Sequence, residues 1–194
     1  MKTNTKKIVG IGLFTAIVVV LQMVASTIKL GAFSITLVLA PMIIGAALYG
    51  VGAGAWLGLV FGVTVLASGD AGTFLAINPV GTVITVLAKG TLAGLAAAGV
   101  YKLIEKKNNL VAVITAGIAC PLVNTGVFLI GCCLFFLPTI QGWATAAGVA
   151  NAGVYMVTSF VGLNFLVELA VNMVLATTIV KVIDIGRKSS KQPA

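Results

Sequence analysis

The stretch from Asn78 to Tyr101 is the feature that most constrains the fold of this chain. It is apolar and long enough to cross a bilayer as one helix, since a crossing takes about 20 residues. It carries one cation, Lys89, which at ~1.5 Å of rise per residue lies about 15 Å from Pro79 and therefore near mid-membrane. Because a charge at that depth is costly, we expect Lys89 to face protein, a cavity or a partner rather than lipid.

Two side-chain stripes run along this predicted helix. Spacings of four, three and four residues place four polar residues on one face: Asn78, Thr82, Thr85 and Lys89. Three small residues form a ridge on a neighbouring face, where another helix can approach closely: Gly90, Gly94 and Ala98. A polar stripe beside a packing ridge is typical of a membrane helix that faces a ligand. The alternative is that Lys89 is a structural cation paired with an acid elsewhere in the bundle.

The composition indicates an integral membrane protein. The chain is 60% hydrophobic and 8% charged, with a mean hydropathy of +1.18, whereas a soluble domain is about 25% charged. The net charge of +8 is spread over short loops and tails, so it reports topology and does not predict a nucleic-acid partner. The chain has no histidine, and its three cysteines lie in apolar runs without metal-ligand spacing. We therefore predict no metal site, no disulfide framework and no cofactor.

Six apolar segments predict an all-α integral membrane fold. They form a single transmembrane domain over residues 1–194, with approximate spans at 8–26, 35–50, 54–68, 79–103, 110–136 and 153–183. Between the spans, the sequence predicts an ordered loop over 68–78 and another loop over 137–152, and a disordered tail after 183. With six spans, every lysine and arginine except Lys29 and Lys89 lies on one side of the membrane. By the positive-inside rule both termini are then cytoplasmic.

A second polar stripe lies in the sixth segment, where Asn164, Glu168 and Asn172 are spaced by four residues. Glu168 lies at a depth similar to that of Lys89. Three roles are open to the two residues: a buried pair that stabilises the bundle, a polar cavity in which Lys89 binds an anionic ligand group, or proton transport by Glu168 in a secondary transporter. Asn124, in the fifth segment, and the other asparagines suit hydroxyl or amide groups of a ligand, and equally suit hydrogen bonds between helices.

The chain shows no catalytic set. It has no Walker lysine loop, no Ser/His/Asp combination and no paired acids at one depth. An enzyme is therefore not predicted, and any coupling to ATP has to come from a partner. Trp143 and Tyr155, at the external ends of helices, are candidates for the site or simple interface anchors.

Four stretches across the first five helices resemble the substrate-binding S components of energy-coupling factor (ECF) vitamin transporters. They are GLFTAIVVVLQ (12–22), FSITLVLAPMIIGAALYGVGAG with LGLVFG (33–54 and 57–62), NPVGTVITVLAKGTLAGLAAAGVYKL (78–103) and CPLVNTGVF (120–128). The resemblance implies a six-helix protein of the bacterial plasma membrane that binds one micronutrient near its outer side. It also implies assembly with a transmembrane coupling subunit and two cytoplasmic ATPases. Gly12 and Ala16 match the family's Ala-xxx-Ala contact with the coupling subunit, with a departure at the first position.

The resemblance also implies where the ligand binds. The family's pocket uses the first and later external loops and the outer halves of the fourth to sixth helices. On this chain those regions contain Lys29, Phe33, Asn78, Lys89, Trp143, Asn151, Tyr155 and Asn164. All of these except Lys29, together with Thr85, Asn124 and Glu168 from the residue patterns, are the candidate substrate-binding residues. One intramembrane cation among several asparagines favours a small anion such as pantothenate or lipoate, and then riboflavin or folate.

Overall fold

The fold is that of a computed structural model, which describes residues 2–27, 29–30, 33–34 and 38–191. Within these ranges, side chains are described at every position except 2–4, 29–30, 33–34, 163–164, 172, 176 and 188–191. The described chain is almost entirely helical, which confirms the predicted class. Its strands form one short antiparallel pair, Lys29–Leu30 (β1) with Phe33–Ser34 (β2).

The helices have the following bounds in chain order. They are α1 Lys2–Ala25, α2 Leu39–Tyr49, α3 Val51–Ala67, α4 Gly72–Ile77, α5 Pro79–Ile104, α6 Asn109–Phe135, α7 Leu137–Ala146, α8 Ala152–Tyr155 and α9 Gly162–Lys191. A π-helical segment, Met156–Val161, joins α8 to α9. Such segments are rare and occur frequently at functional sites.

Four helical stretches of the described chain are long and apolar enough to cross a membrane. They are Thr5–Ala25, Pro79–Ile104, Asn109–Phe135 and Ala152–Leu175. Helices α2 and α3 are apolar but shorter, and they meet at Gly50, whose φ of 94° is a backbone conformation that favours glycine. Integral membrane character is therefore supported, while six spans with both termini in the cytoplasm stay a prediction.

Helices α3 and α5 pack with their backbones in contact. A Cβ built on Gly54 of α3 would lie 2.6 Å from the carbonyl oxygen of Gly94 of α5, and one on Gly58 would collide with the carbonyl of Gly90. A Cβ on Gly62 would lie 2.8 Å from the carbonyl oxygen of Val86 of α5. The close approach predicted for the small-residue ridge of α5 is thus confirmed, and α3 is the helix that makes it.

Helix α6 packs on another face of α5. Gly131 of α6 leaves room for the side chain of Thr85, with which a Cβ would collide. Each helix begins at an asparagine cap: Asn78 accepts a hydrogen bond from the backbone of Gly81, and Asn108 caps α6. The contact between Gly131 and Thr85 therefore lets α6 approach α5 at the level of the polar stripe of α5.

Two segments predicted as loops are helical. The segment 68–78 contains α4, and the segment 137–152 contains α7. Each short helix buries an apolar side chain, Phe74 in α4 and Ile140 in α7. Helices this short are marginally stable in isolation, and the packing of these buried side chains against the rest of the bundle stabilises them. The local sequence, rich in glycine, asparagine and proline, did not reveal these long-range contacts.

The prediction of a disordered tail is also wrong for residues 184–191, because α9 continues to Lys191. Hydrogen bonds hold its end to the rest of the bundle. Tyr101 of α5 donates to Asn109 Oδ1 of α6 (2.6 Å), and Asn109 Nδ2 donates to Asp184 Oδ1 of α9 (2.9 Å). Three helices are thereby joined at the end that carries most of the basic residues.

Glu105, just after α5, is the charged centre of the same end. Lys102 Nζ lies 2.9 Å from its carboxylate, and Arg187 of α9 pairs with the other oxygen and lies over the Tyr101 ring. Burial acts to raise the pKa of Glu105, but the hydrogen bonds and charges of Lys102 and Arg187 outweigh it and hold that pKa below its ordinary value.

Candidate functional site

A cavity lies between the two hydrophobic clusters of the bundle. The larger cluster contains Phe61 of α3 and Val86 of α5, and the smaller one contains Phe74, Phe136 and Phe160. Residues of both clusters line the cavity, whose space between atoms, with its open mouth included, is about 820 Å³.

The lining divides into polar and aromatic side chains. The polar and charged ones are Gln22, Asp70, Thr82, Thr85, Lys89, Asn124, Thr125 and Glu168. The aromatic ones are Phe61, Phe74, Phe128, Phe136, Phe160 and Phe165. Binding sites for small molecules have this character, a mainly apolar wall with a few convergent polar groups.

Lys89 enters the cavity from α5, between two phenylalanines of the neighbouring helices. Its Nζ lies 5.4 Å from the ring centre of Phe128 of α6 and 5.8 Å from that of Phe61 of α3. Both distances are within the range of a cation–π contact. Glu168 of α9 is buried and lines the same cavity. The two intramembrane charges that the sequence placed at a similar depth therefore share one site.

Thr85 and Asn124 also face the cavity, and each has an unsatisfied atom. Thr85 is 4% exposed and Asn124 is 6% exposed. Thr85 Oγ1 and Asn124 Oδ1 are buried without a hydrogen-bond partner among the described residues. Such orphaned atoms are few in native proteins, and each requires an explanation.

Gln22 and Asp70 are site residues that the sequence did not reveal. Gln22 of α1 is 2% exposed, and its Nε2 donates to Asp70 Oδ2 at 3.1 Å, in the turn after α3. The available signal in the sequence was a polar residue inside an apolar helix, four positions after Val18 and therefore on the same face of α1. In the structure Val18 is buried on that face. The cavity phenylalanines gave no signal, because phenylalanine is common in any apolar segment.

Trp143 and Tyr155 lie behind the cavity wall rather than in it. Trp143 of α7 packs edge-on against Phe74 with ring centres 6.0 Å apart, and Tyr155 packs against Phe160 at 5.4 Å. Phe74 also packs against Phe136 at 4.9 Å. The two residues therefore support the phenylalanines that form one end of the cavity.

Four further predicted residues with described side chains do not line the cavity: Asn78, Asn151, Gly12 and Ala16. Asn78 and Asn151 are helix caps, and Asn151 accepts a hydrogen bond from Val154. Gly12 and Ala16 lie on the exposed face of α1, where nothing within 4 Å would meet a Cβ at Gly12. The side chains of Phe33 and Asn164 lie outside the described residues, as does that of Asn172.

No three His, Cys, Asp or Glu side chains come together in the described part of the chain. Cys120 and Cys132 are buried free thiols, and Cys133 is exposed. The described lining residues offer hydrogen bonding, charge pairing and aromatic packing.

One protein family, described as the substrate-specific component of ECF transporters, has a sequence model that matches residues 6–180. The chain belongs to this family. The resemblance found in the sequence is thereby confirmed. No curated protein and no solved structure matches the chain.

Membership gives the S component its general role. It is a substrate-binding membrane subunit of a transporter, and S components are not themselves enzymes. Membership also implies a small-molecule substrate and association with a membrane coupling subunit and ATPases. The apolar helices agree with a location in the membrane.

Proposed function

We propose that this S component captures a small vitamin-like molecule from outside a bacterial plasma membrane. It would deliver the molecule inward as part of an ABC importer, with a transmembrane coupling subunit and two cytoplasmic ATPases. The observation that carries the proposal is the cavity in which Lys89 lies among phenylalanines and orphaned polar atoms. Family membership supports the same role.

The proposed topology has six spans and both termini inside. In that orientation α5 runs from an outer end at Pro79 to a cytoplasmic end at Ile104, and Glu105 and Arg187 lie at the cytoplasmic face. The turn at Asp70 and helix α4 then lie outside. The cavity, which includes Asp70 and Phe74, would open toward that outer side.

The proposed ligand places an anionic group at Lys89 and its apolar part against the phenylalanines. In a cavity shielded from water, a charge-assisted hydrogen bond from the ammonium favours a carboxylate over a neutral group. Pantothenate is the first candidate and lipoate the second, followed by riboflavin and folate. Thr85, Asn124 and Glu168 line the same cavity and are the proposed polar contacts.

The test is ligand identification followed by direct binding. Detergent-purified protein is denatured, and the released small molecules are identified by mass spectrometry. The stripped protein is then titrated with pantothenate, lipoate, riboflavin and folate. We expect one of these, or a related anion, to bind, and Lys107→Met, which removes an exposed lysine beyond the end of α5, to leave its affinity unchanged. A protein that carries and binds no small molecule would refute the proposal.

A second candidate function is secondary transport. Glu168 is buried in the cavity, and an intramembrane carboxylate is a typical proton carrier. Chain reconstituted alone into vesicles, with a proton or sodium gradient, distinguishes the two functions. Gradient-driven uptake that Glu168→Gln abolishes would support secondary transport and exclude the role of an ATPase-dependent subunit.

A further inference from the structure

Most buried polar side chains near the cavity have a partner. Thr82, one turn before the orphaned Thr85, donates to the carbonyl of Asn78 at 2.8 Å. Thr64 of α3 is as buried as Thr85, at 4% exposure, and donates to the carbonyl of Val60 at 2.8 Å. A threonine in a helix commonly satisfies its hydroxyl in this way. The Thr85 hydroxyl makes no such bond, although Thr85 lies in the same helix as Thr82.

Asn124 has the corresponding defect on α6. Asn124 is 6% exposed in the cavity wall, and its Oδ1, an acceptor, has no hydrogen-bond partner in the described part of the molecule. A buried acceptor without a donor lowers stability, because it has lost water and gained nothing. The two orphaned atoms line one cavity from two adjacent helices.

We infer that the substrate carries its own hydrogen-bond donor, an N–H or O–H group, which it presents to Asn124 Oδ1 while Thr85 Oγ1 binds a neighbouring polar atom. This inference rests on the proposed function and narrows the substrate class. At neutral pH a carboxylate only accepts hydrogen bonds, so it can accept from Lys89 and the Thr85 hydroxyl but cannot donate to Asn124 Oδ1. An anion without donors would leave Asn124 Oδ1 buried and unsatisfied.

Charge in the cavity agrees with this selection. Lys89 shares the lining with Asp70 and Glu168, so a ligand that presents only acceptors would face two acidic residues. An anion that also carries a hydrogen-bond donor can place its negative group near Lys89 and its donor near the acidic residues. Sites built around a hydrogen bond reject analogues that lack it, because the buried partner is left unpaired. The expected substrate is therefore a molecule such as an amide- or hydroxyl-bearing acid, and we expect an acid of the lipoate type to bind more weakly.

The first test uses the ligand-free protein. Asn124→Leu and Thr85→Val each keep the approximate shape of the side chain and remove an orphaned atom. We expect the thermal midpoint of each stripped variant to equal or exceed that of the wild type. Thr64→Val, matched to Thr85 in burial, removes a bonded hydroxyl and should not raise the midpoint. A lower midpoint for both cavity variants would assign the two residues to structure and overturn the inference.

The second test uses two probes, pantothenate with amide and hydroxyl donors and lipoate without them. We expect pantothenate to bind more tightly, and Asn124→Leu to weaken its binding by about 10-fold, as loss of one buried hydrogen bond does. Thr64→Val should leave its affinity unchanged. Tighter binding of lipoate, or pantothenate binding that Asn124→Leu does not alter, would overturn the inference.

If neither probe binds, the molecule that co-purifies decides the question. A ligand with an N–H or O–H donor whose retention is lost in Asn124→Leu supports the inference, and a ligand without any donor overturns it. A protein that holds no small molecule at all refutes the proposed function, on which the inference rests. The midpoint comparison of ligand-free variants separates these failures, since it needs no ligand.

Discussion

Gly58 of α3 and Gly90 of α5 meet through their backbones, because a Cβ on either would collide with the carbonyl of the other. This contact brings α3 against the helix that carries Lys89, and Phe61, one turn beyond Gly58, reaches the lysine. The small residues of α5 thus determine the shape of one cavity wall. They do so by letting two helices approach more closely than side chains would allow.

Gly58→Ala is therefore expected to destabilise the protein. The added methyl group forces α3 and α5 apart, and overpacking of this kind costs about 1–3 kcal/mol. The matched control is Gly52→Ala on the same helix, where a Cβ meets nothing within 4 Å and helix propensity improves. The measurement is the thermal midpoint in detergent. Equal midpoints for the two variants would contradict the close packing.

The same helix shows what the sequence could and could not predict. Spacing alone placed Thr85 and Lys89 on one stripe and the small residues on another, and the structure has both. Helical periodicity is a local property, so it can be read from one segment. The identity of the partner helix is not local, and neither is the grouping of phenylalanines from α3, α4 and α6 around the cavity. Gln22 was missed for the same reason.

Asparagines were the least informative residues. Asn78 and Asn151 were predicted to bind substrate, and in the structure they cap helices. An asparagine before the first turn of a helix suits either role, because its side chain both accepts and donates. Asn124, inside α6, has no such local use, and it lines the cavity. The position of an asparagine relative to the start of its helix was therefore the sequence signal that distinguished the caps from the cavity residue.

Topology can be tested with single cysteines. In a chain with Cys120→Ala, Cys132→Ala and Cys133→Ala, we expect Ala147→Cys to react with an impermeant thiol reagent from outside intact cells. Lys107→Cys should react only after the membrane is opened. Both positions are exposed, one after α7 and one after α5. Labelling of both from the same side would exclude the six-span arrangement.

The coupling surface can be tested on α1. Ala16 is exposed, and a tryptophan there should prevent a partner helix from approaching closely. We expect Ala16→Trp to abolish transport and co-purification with the coupling subunit while ligand affinity is retained. The control, Ile130→Trp on the exposed face of α6, should assemble normally. Loss of ligand binding in Ala16→Trp would instead show that this face packs within the chain.

Glu105 predicts a pH dependence of stability at the basic end of the bundle. Its pKa is lower in the folded protein than the ordinary value of 4.5. The ionised Glu105 therefore stabilises the fold at pH values above the pKa that its carboxyl has in the unfolded chain. This stabilisation is lost as the pH falls through the lower pKa of the folded protein. We expect Glu105→Gln to have a lower thermal midpoint than the wild type at neutral pH. The difference should shrink on acidification below about pH 4.5. A difference that does not vary with pH would contradict an ionic role.

The last prediction separates the two roles open to Lys89. If the ammonium binds an anionic ligand group, Lys89→Met removes a charge-assisted hydrogen bond, which contributes roughly 1.5–3 kcal/mol, or about 10- to 150-fold in affinity. We expect that loss of affinity, measured by titration, with little change in the midpoint of the ligand-free protein. If Glu168 is the partner instead, Lys89→Met leaves a buried carboxylate uncompensated and costs about 3–5 kcal/mol of stability. Adding Glu168→Gln would then restore the midpoint. Unchanged affinity with a lowered midpoint, restored in the double variant, would make Lys89 structural.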